Sequence, residues 1–324
     1  MSRSSQLLGI SNAIVDVLAH VDKDFLELIG APPGSMTLID QDRAHEIYEL
    51  MGPTTKMSGG SVANTVAGFA NLGASAAYIG RVNDDPLGAF FVDDMRSLGI
   101  DVRLAPTAAN APTARCHVLI GDDGQRTMQT YLGACTELSV SDITDETIGN
   151  PAVILLEGYI WDIAEGPAVA DKAISIAQNN GCSVALSLSD SFCVDRHRDA
   201  FHGAVLAGID IVFGNEDEVA TLLETSSHEA TMDALVGYEN LFSITRSDKG
   251  SVTKLGSKIV FQNATPIDNL VDTTGAGDAY TAGFLYAWTS GEPLQKCAEL
   301  GTYCATRVIQ QTGGRIEPGF LVDY

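Results

Sequence analysis

The sequence predicts an α/β fold: a three-layer α/β/α core with a mostly parallel sheet, and a small antiparallel β lid projecting from it. Three observations carry this prediction. Short apolar runs alternate with amphipathic segments over most of the chain. The N-terminal third instead holds consecutive strand-like runs without helices between them. The 324 residues, 45% of them hydrophobic, suffice for one large core or two small ones.

In chain order, residues 101–105, 113–120 and 127–132 read as strands, with Gly121-Asp122-Asp123-Gly124 as a hairpin turn. A lid built from roughly residues 13–42 and 100–133 is expected over a site at the ends of the main-sheet strands. Residues 153–156, 184–188, 209–213 and 241–244 are short apolar runs that suit buried strands. Helical patterns at 166–179, 192–206 and 216–224 fall between them. That β-α-β-α rhythm implies a parallel sheet with helices on both faces. Residues 276–309 read as two helices broken at Gly291-Glu292-Pro293, with Pro293 in the first turn of the second. No repeat and no linker divides the chain, so a single domain over residues 1–324 is expected.

The net charge of −23 argues against a nucleic-acid or anionic-membrane surface. It does not exclude a small anionic ligand, which local N–H groups and cations can hold. No stretch approaches the roughly 20 apolar residues that span a bilayer, and MSRSSQLLGISN makes a poor signal peptide, so a cytoplasmic location is expected. None of the six cysteines has C-x-x-C spacing, and buried free thiols are expected. The six histidines have no metal-ligand spacing.

Two glycine-rich turns stand out. Gly275-Ala276-Gly277-Asp278 precedes an apolar helical run. Glycine permits a tight turn and close approach of a ligand to the N–H groups, and the helix start adds positive potential. The same four residues also suit a plain turn with Asp278 as a helix cap. The second turn, Gly59-Gly60, opens a helix in which Asn64 lies one turn in. The P-loop pattern is absent, as are H-E-x-x-H and G-x-S-x-G. Tyr280 stands where G-x-G-x-x-G requires its third glycine.

Asp272-Thr273-Thr274-Gly275-Ala276-Gly277-Asp278 followed by Ala282-Gly283-Phe284 resembles the C-terminal signature of the ribokinase-like (PfkB) family of sugar and nucleoside kinases. Gly59-Gly60-x-x-x-Asn64 resembles its N-terminal signature. The resemblance covers essentially the whole chain. Local stretches are similar to the adenosine kinase branch: Ser11-Asn12-Ala13-Ile14-Val15-Asp16, Ser187-Leu188-Ser189-Asp190-Ser191-Phe192, Phe213-Gly214-Asn215-Glu216-Asp217-Glu218, and Val308 to Gly314.

The resemblance implies a ribokinase-like fold and transfer of the ATP γ-phosphoryl group to a primary hydroxyl. Asp278 is implied as the base, with the N–H groups of Gly275, Ala276 and Gly277 as the anion hole. Asp16 is implied to accept two sugar hydroxyls, with Asn12, Gly59, Gly60 and Asn64 completing the sugar contacts. Asn215, Thr245, Thr274 and the lid residue Arg126 are implied phosphate ligands. Glu218 is implied to position Mg2+ through water, and K+ is a candidate further ion. Phe192, Tyr159 and Trp161 are candidates to stack on a base, and Leu38 to close the pocket from the lid. Many relatives have T-x-G-x-x-G where this chain has Thr245-Arg246-Ser247-Asp248-Lys249-Gly250; Ser247 replaces the middle glycine and leaves the phosphoryl donor less defined.

The expected acceptor is a nucleoside, adenosine first. The alternatives are ribose, fructose or a 2-keto-3-deoxy sugar acid, or a non-catalytic nucleoside-binding protein on the same fold. The expected partners are small molecules, with the chain a monomer or homodimer.

Overall fold

The structure, a computed structural model, describes residues 5–122, 124–311 and 313–319. Asp123 of the expected hairpin turn and Thr312 of the C-terminal stretch lie outside the described residues.

Fourteen strands are present among the described residues: β1 (Ser5–Ile10), β2 (Ile14–His20), β3 (Met36–Leu38), β4 (Thr55–Gly59), β5 (Ala76–Ile79), β6 (Asp101–Val102), β7 (Ala114–Ile120), β8 (Arg126–Tyr131), β9 (Pro151–Glu157), β10 (Ser183–Ser187), β11 (Ile211–Asn215), β12 (Leu241–Thr245), β13 (Ser251–Leu255) and β14 (Lys258–Gln262). Nine of them form one sheet in the order β14-β13-β12-β11-β10-β9-β1-β5-β6. Every neighbouring pair from β6 to β12 is parallel. Only the β12-β13-β14 edge is antiparallel.

The side-chain period of two divides this sheet between two cores. On β9, Val153 and Leu155 belong to one core, and Ile154 and Leu156 to the other. Each fully buried Leu or Ile contributes roughly 1.5–3 kcal/mol, so a strand buried on both faces is mostly apolar. That is why β9 to β12 were legible as short, mostly apolar runs, with polar residues chiefly at their ends.

The expected helices form at Gly166–Asn180, Ser191–Ala207 and Glu216–Leu222. The last stops short because Glu224 turns to φ +53. The two C-terminal helices are Ala276–Thr289 and Leu294–Val308. Pro293 is the extended N-cap of the second (ψ 153), one position before the expected first turn. Gly283 brings these two helices together: a Cβ there would lie 2.7 Å from the Cys304 sulfur and from the Leu300 carbonyl oxygen.

The lid is a five-stranded sheet in the order β3-β8-β7-β2-β4. The β7–β8 and β2–β4 pairs are antiparallel, as expected of the lid, whereas β2–β7 and β3–β8 are parallel. Two assignments differ from the expectation. β4 joins the lid although it lies outside both expected segments. Residues 101–102 leave it, because the Pro86–Ser97 helix carries the chain back over the main sheet and β6 pairs in parallel with β5. All six cysteines are free and buried. Among the described residues, no helix is long and apolar enough to cross a membrane.

Candidate active site

A cleft of about 950 Å³ lies between the C-terminal ends of the parallel strands and the lid. Its floor comes from Asn12 after β1, Glu157 on β9, Ser187 and Ser189 around the end of β10, Gly214 and Asn215 on β11, and Thr245 on β12. The lid supplies Ile14, Asp16, Met36, Leu38, Cys116 and Met128. One wall is the start of the Ala276–Thr289 helix, with Thr274, Gly275, Ala276, Gly277 and Asp278.

That helix starts where the sequence pattern places it. Gly275 is its N-cap at φ +72, and a Cβ there would lie 2.3 Å from the Gly314 carbonyl oxygen. No side chain caps the helix. A Cβ on Gly277 would meet nothing within 4 Å, so its backbone borders open cleft. The Ala276 N–H makes a 3.2 Å turn bond to the Thr273 carbonyl oxygen, and Thr274 N–H donates to Asp272 at 2.9 Å. An uncapped helix start beside an open glycine suits an anion.

Asp278 accepts a hydrogen bond from the Ser61 hydroxyl at 2.7 Å. Burial pushes its pKa up to about 7; Ser61, Asn64 and the Arg315 guanidinium pull it back, and Asp16 pushes it further. Asp16, on β2 in the lid, is raised to about 6 by burial, against the pull of Arg315 and Arg126. Burial dominates both carboxylates because little water reaches them.

The double-glycine turn supports Asp16 rather than lining the cleft throughout. A Cβ on Gly59 would lie 2.4 Å from the Asp16 carboxyl carbon, so the glycine makes room for that side chain. Gly60, at φ +97, lines the cleft, and a Cβ there would meet the Asn12 carbonyl oxygen at 2.6 Å. Asn12 itself is buried, and its side-chain oxygen has no hydrogen-bond partner among the described residues. An unsatisfied buried acceptor is costly, and a ligand hydroxyl would satisfy it.

Asn215 and Glu218 form a reciprocal helix cap: Asn215 accepts from the Glu218 N–H at 2.9 Å, and Glu218 accepts from the Asn215 N–H at 3.0 Å and its amide at 2.6 Å. Burial raises Glu218 to about 7, and Asp190, Asp217 and Asp278 add to the rise. Among the described residues, no group of three or more His, Cys, Asp or Glu side chains is arranged to hold a metal ion. The Glu218 carboxylate retains lone pairs beyond those the cap uses, which fits a metal held through water and not one caged by protein.

Arg126 is placed apart from the cleft lining. It forms a 2.5 Å ion pair with Asp272, at the head of the Gly275 turn. The three aromatic candidates separate. Trp161 is core, packed edge-on against Phe201 with ring centroids 5.0 Å apart. Tyr159 lines the cleft but donates its hydroxyl to Asp190 at 2.5 Å. Phe192 is 77% exposed at the cleft and free to cover a ligand.

Three site residues escaped the sequence reading. Ser61 and Glu157 sit inside ordinary-looking runs; Glu157, raised to about 7 by burial, accepts the Val62 N–H at 3.0 Å. Arg315 follows Gly314, one position beyond the C-terminal stretch that carried the resemblance. Its signal was a lone cation just after that stretch, in a strongly acidic chain.

The chain resembles known proteins over most of its length. The pfkB family carbohydrate kinase profile matches residues 34–318. The chain belongs to the pfkB family. It is a sugar or nucleoside kinase, a phosphotransferase acting on a hydroxyl group. The solved structure of adenosine kinase from Sinorhizobium meliloti is 43% identical, with a TM-score of 0.87 and 96% of each chain covered. A probable sugar kinase protein from Rhizobium etli CFN 42 is 39% identical, with a TM-score of 0.88, covering 97% of this chain and 96% of that one. A 5-dehydro-2-deoxygluconokinase from Geobacillus thermodenitrificans is 27% identical over 289 residues, covering 82% of this chain and 83% of its own. Names of both nucleoside and sugar kinases thus occur among the relatives.

Proposed function

We propose that the protein transfers the γ-phosphoryl group of ATP to the primary hydroxyl of a nucleoside, with adenosine the preferred acceptor. The observation that carries this reading is an apolar surface in the same cleft as the two carboxylates. Met36 and Leu38 are 50% and 59% exposed on the lid, and Phe192 faces the cleft with them. A nucleobase offers flat apolar area for these side chains to cover at roughly 25 cal/mol per Å². A free sugar offers only a small C–H face and no flat ring. The adenosine kinase relative at 43% identity supports the same choice.

In this reading Asp16 accepts both hydroxyls of the ribose diol, and the unpartnered Asn12 oxygen accepts a further one. Gly60 and Asn64 complete the sugar contacts, and the primary hydroxyl is delivered to Asp278. As its oxygen bonds to the γ-phosphorus, the bond to the β,γ-bridging oxygen breaks. Asp278 takes the hydroxyl proton and ADP departs. Backbone N–H groups at Gly275, Ala276 and Gly277 stabilise the equatorial oxygens. Thr245, Thr274 and Asn215 hold the donor phosphates, and Glu218 would hold Mg2+ through water. The metal would neutralise phosphate charge. Arg126 joins the phosphates when it leaves Asp272.

A second reading, phosphorylation of a keto-deoxy sugar acid, needs a cation for the acid's carboxylate. Arg196 lines the cleft, but it is bound to Asp162 at 2.8 Å. The test is ADP release from Mg-ATP with adenosine, inosine, ribose, fructose and 5-dehydro-2-deoxygluconate offered separately, with product mass checked. Turnover with adenosine and none with the sugars is expected. Turnover with a sugar alone would overturn the nucleoside reading and leave the assignment as a kinase standing.

A further inference from the structure

Arg315 comes from the segment after the final helix, yet its side chain is only 12% exposed. It reaches three separate elements. Its Nε donates to the Asn64 side-chain oxygen at 2.9 Å. One terminal nitrogen donates to the Ser58 hydroxyl oxygen at 2.9 Å, and the other meets Asp94 at 3.4 Å. The same Asp94 oxygen accepts the Ser58 N–H at 2.9 Å and its hydroxyl at 2.5 Å. Ser58 is fully buried and immediately precedes Gly59-Gly60.

A guanidinium has donors and no acceptor. The Asn64 oxygen must therefore face Arg315, which leaves its NH2 group facing the other way. On the Asp278 side that amide favours the ionised carboxylate, against the effect of burial. A flipped amide would set a carbonyl oxygen against that carboxylate and leave Arg315 facing another donor. The guanidinium thus decides which atom of Asn64 the reaction centre meets.

We infer that Arg315 is a positioning residue for phosphoryl transfer, one that turns the Asn64 amide donor toward Asp278 and pins the Gly59-Gly60 turn behind Asp16. The inference rests on the roles proposed above for Asp278 and Asp16. Arg315 touches neither carboxylate by a hydrogen bond, but its charge favours the ionised form of both. The other groups facing Asp278 are Asp16, Glu157 and Glu218, all acidic, with the neutral Ser61 and Asn64. The deeply buried Arg315 guanidinium offsets the charge of Asp278 and, together with Arg126, that of Asp16.

The test uses the full-length enzyme with Arg315→Ala, Arg315→Lys and Asp278→Asn. Arg315→Ala is expected to lower kcat by about a hundredfold and raise the acceptor KM about tenfold, with the ATP KM nearly unchanged. Its acid limb of kcat/KM moves to higher pH, because Asp278 loses its cation. Millimolar guanidinium restores turnover to Arg315→Ala and not to Asp278→Asn. Arg315→Lys fills the space and keeps the charge, but one ammonium cannot serve Asn64, Ser58 and Asp94 in fork geometry. It is expected to keep the wild-type acid limb and lose about tenfold in kcat.

Wild-type kcat in Arg315→Lys would overturn the inference, even if the alanine variant does not fold. So would a folded Arg315→Ala with an unmoved acid limb and no guanidinium rescue. Full turnover by Asp278→Asn would instead remove Asp278 as the base, a different failure. An inactive Asp278→Asn beside an unaffected Arg315→Ala sinks this inference alone.

Discussion

Asp278→Asn separates catalysis from stability, and the two should move in opposite directions. Asp278 is buried, and its pKa stands at about 7 against an ordinary 3.8. At 1.36 kcal/mol per pKa unit, holding the carboxylate ionised at pH 8 costs the folded state about 4 kcal/mol. Asparagine is nearly isosteric and removes that cost. It keeps an oxygen for Ser61 but turns an NH2 toward the Asn64 amide, which forfeits about 1 kcal/mol. The repulsion from neighbouring carboxylates is already part of that cost, so the net gain at pH 8 is about 3 kcal/mol, or about 4 °C in Tm for a chain of this length. Between pH 4 and 7 the folded carboxyl holds a proton that the unfolded chain has released. Wild type therefore loses stability as pH rises through that window, and the variant does so less steeply. The advantage of the variant should be largest at pH 8 and shrink toward pH 5. Turnover should fall by 10²- to 10⁴-fold, with nucleotide binding nearly unchanged. Thermal melts of the ligand-free protein across pH, with initial rates at saturating substrates, measure both. A variant less stable than wild type at pH 8, or a stability difference independent of pH, would refute the electrostatic argument. A kcat within tenfold of wild type would refute the base.

Other substitutions probe the remaining parts of the cleft. Asp16→Ala should raise the acceptor KM by about a hundredfold while the ATP KM holds, since two charge-assisted hydrogen bonds are lost; equal loss of both would indicate misfolding. Gly59→Ala places a Cβ on the Asp16 carboxylate, and displacing that side chain should cost about 1–3 kcal/mol in melts and raise the acceptor KM alongside. Phe192→Ala, at a site 77% exposed, should leave Tm within about 1 °C and raise the adenosine KM about tenfold. An unchanged KM would remove Phe192 as the surface that covers the base. Ser247→Gly relieves a serine held at φ +53 and should add about 1 kcal/mol of stability, read as a Tm rise of about 1–2 °C. A fall in Tm would show that the serine side chain holds the turn.

The strands that a single sequence reveals are those buried on both faces. Residues 153–156, 184–188, 209–213 and 241–244 are mostly apolar, with only Ser187, Asp210 and Ser243 between the large side chains, so their runs announced them. β1 and β5 belong to the same sheet, but Gln6 and Gly9 interrupt the first, and the second is only four residues long and opens with two alanines, which favour helix. β4 and β6 changed places for a topological reason: which sheet a short strand joins depends on where the preceding helix returns it. Local periodicity carries no trace of that.

The same division holds at the cleft. Glycine turns and the acid beside them are local features, because a positive φ at Gly275 and Gly60 and an uncapped helix start must be written into consecutive residues. The signature around Asp278 and the Gly59-Gly60 turn were therefore determined by sequence alone, and with them the kinase family. Tertiary structure decided the rest. It set Arg126 on Asp272, sent Trp161 to the core, left Phe192 at the cleft mouth, and brought Arg315 across 251 positions to Asn64. Burial and charge depend on neighbours in space, and those neighbours exist only once the chain has closed around them.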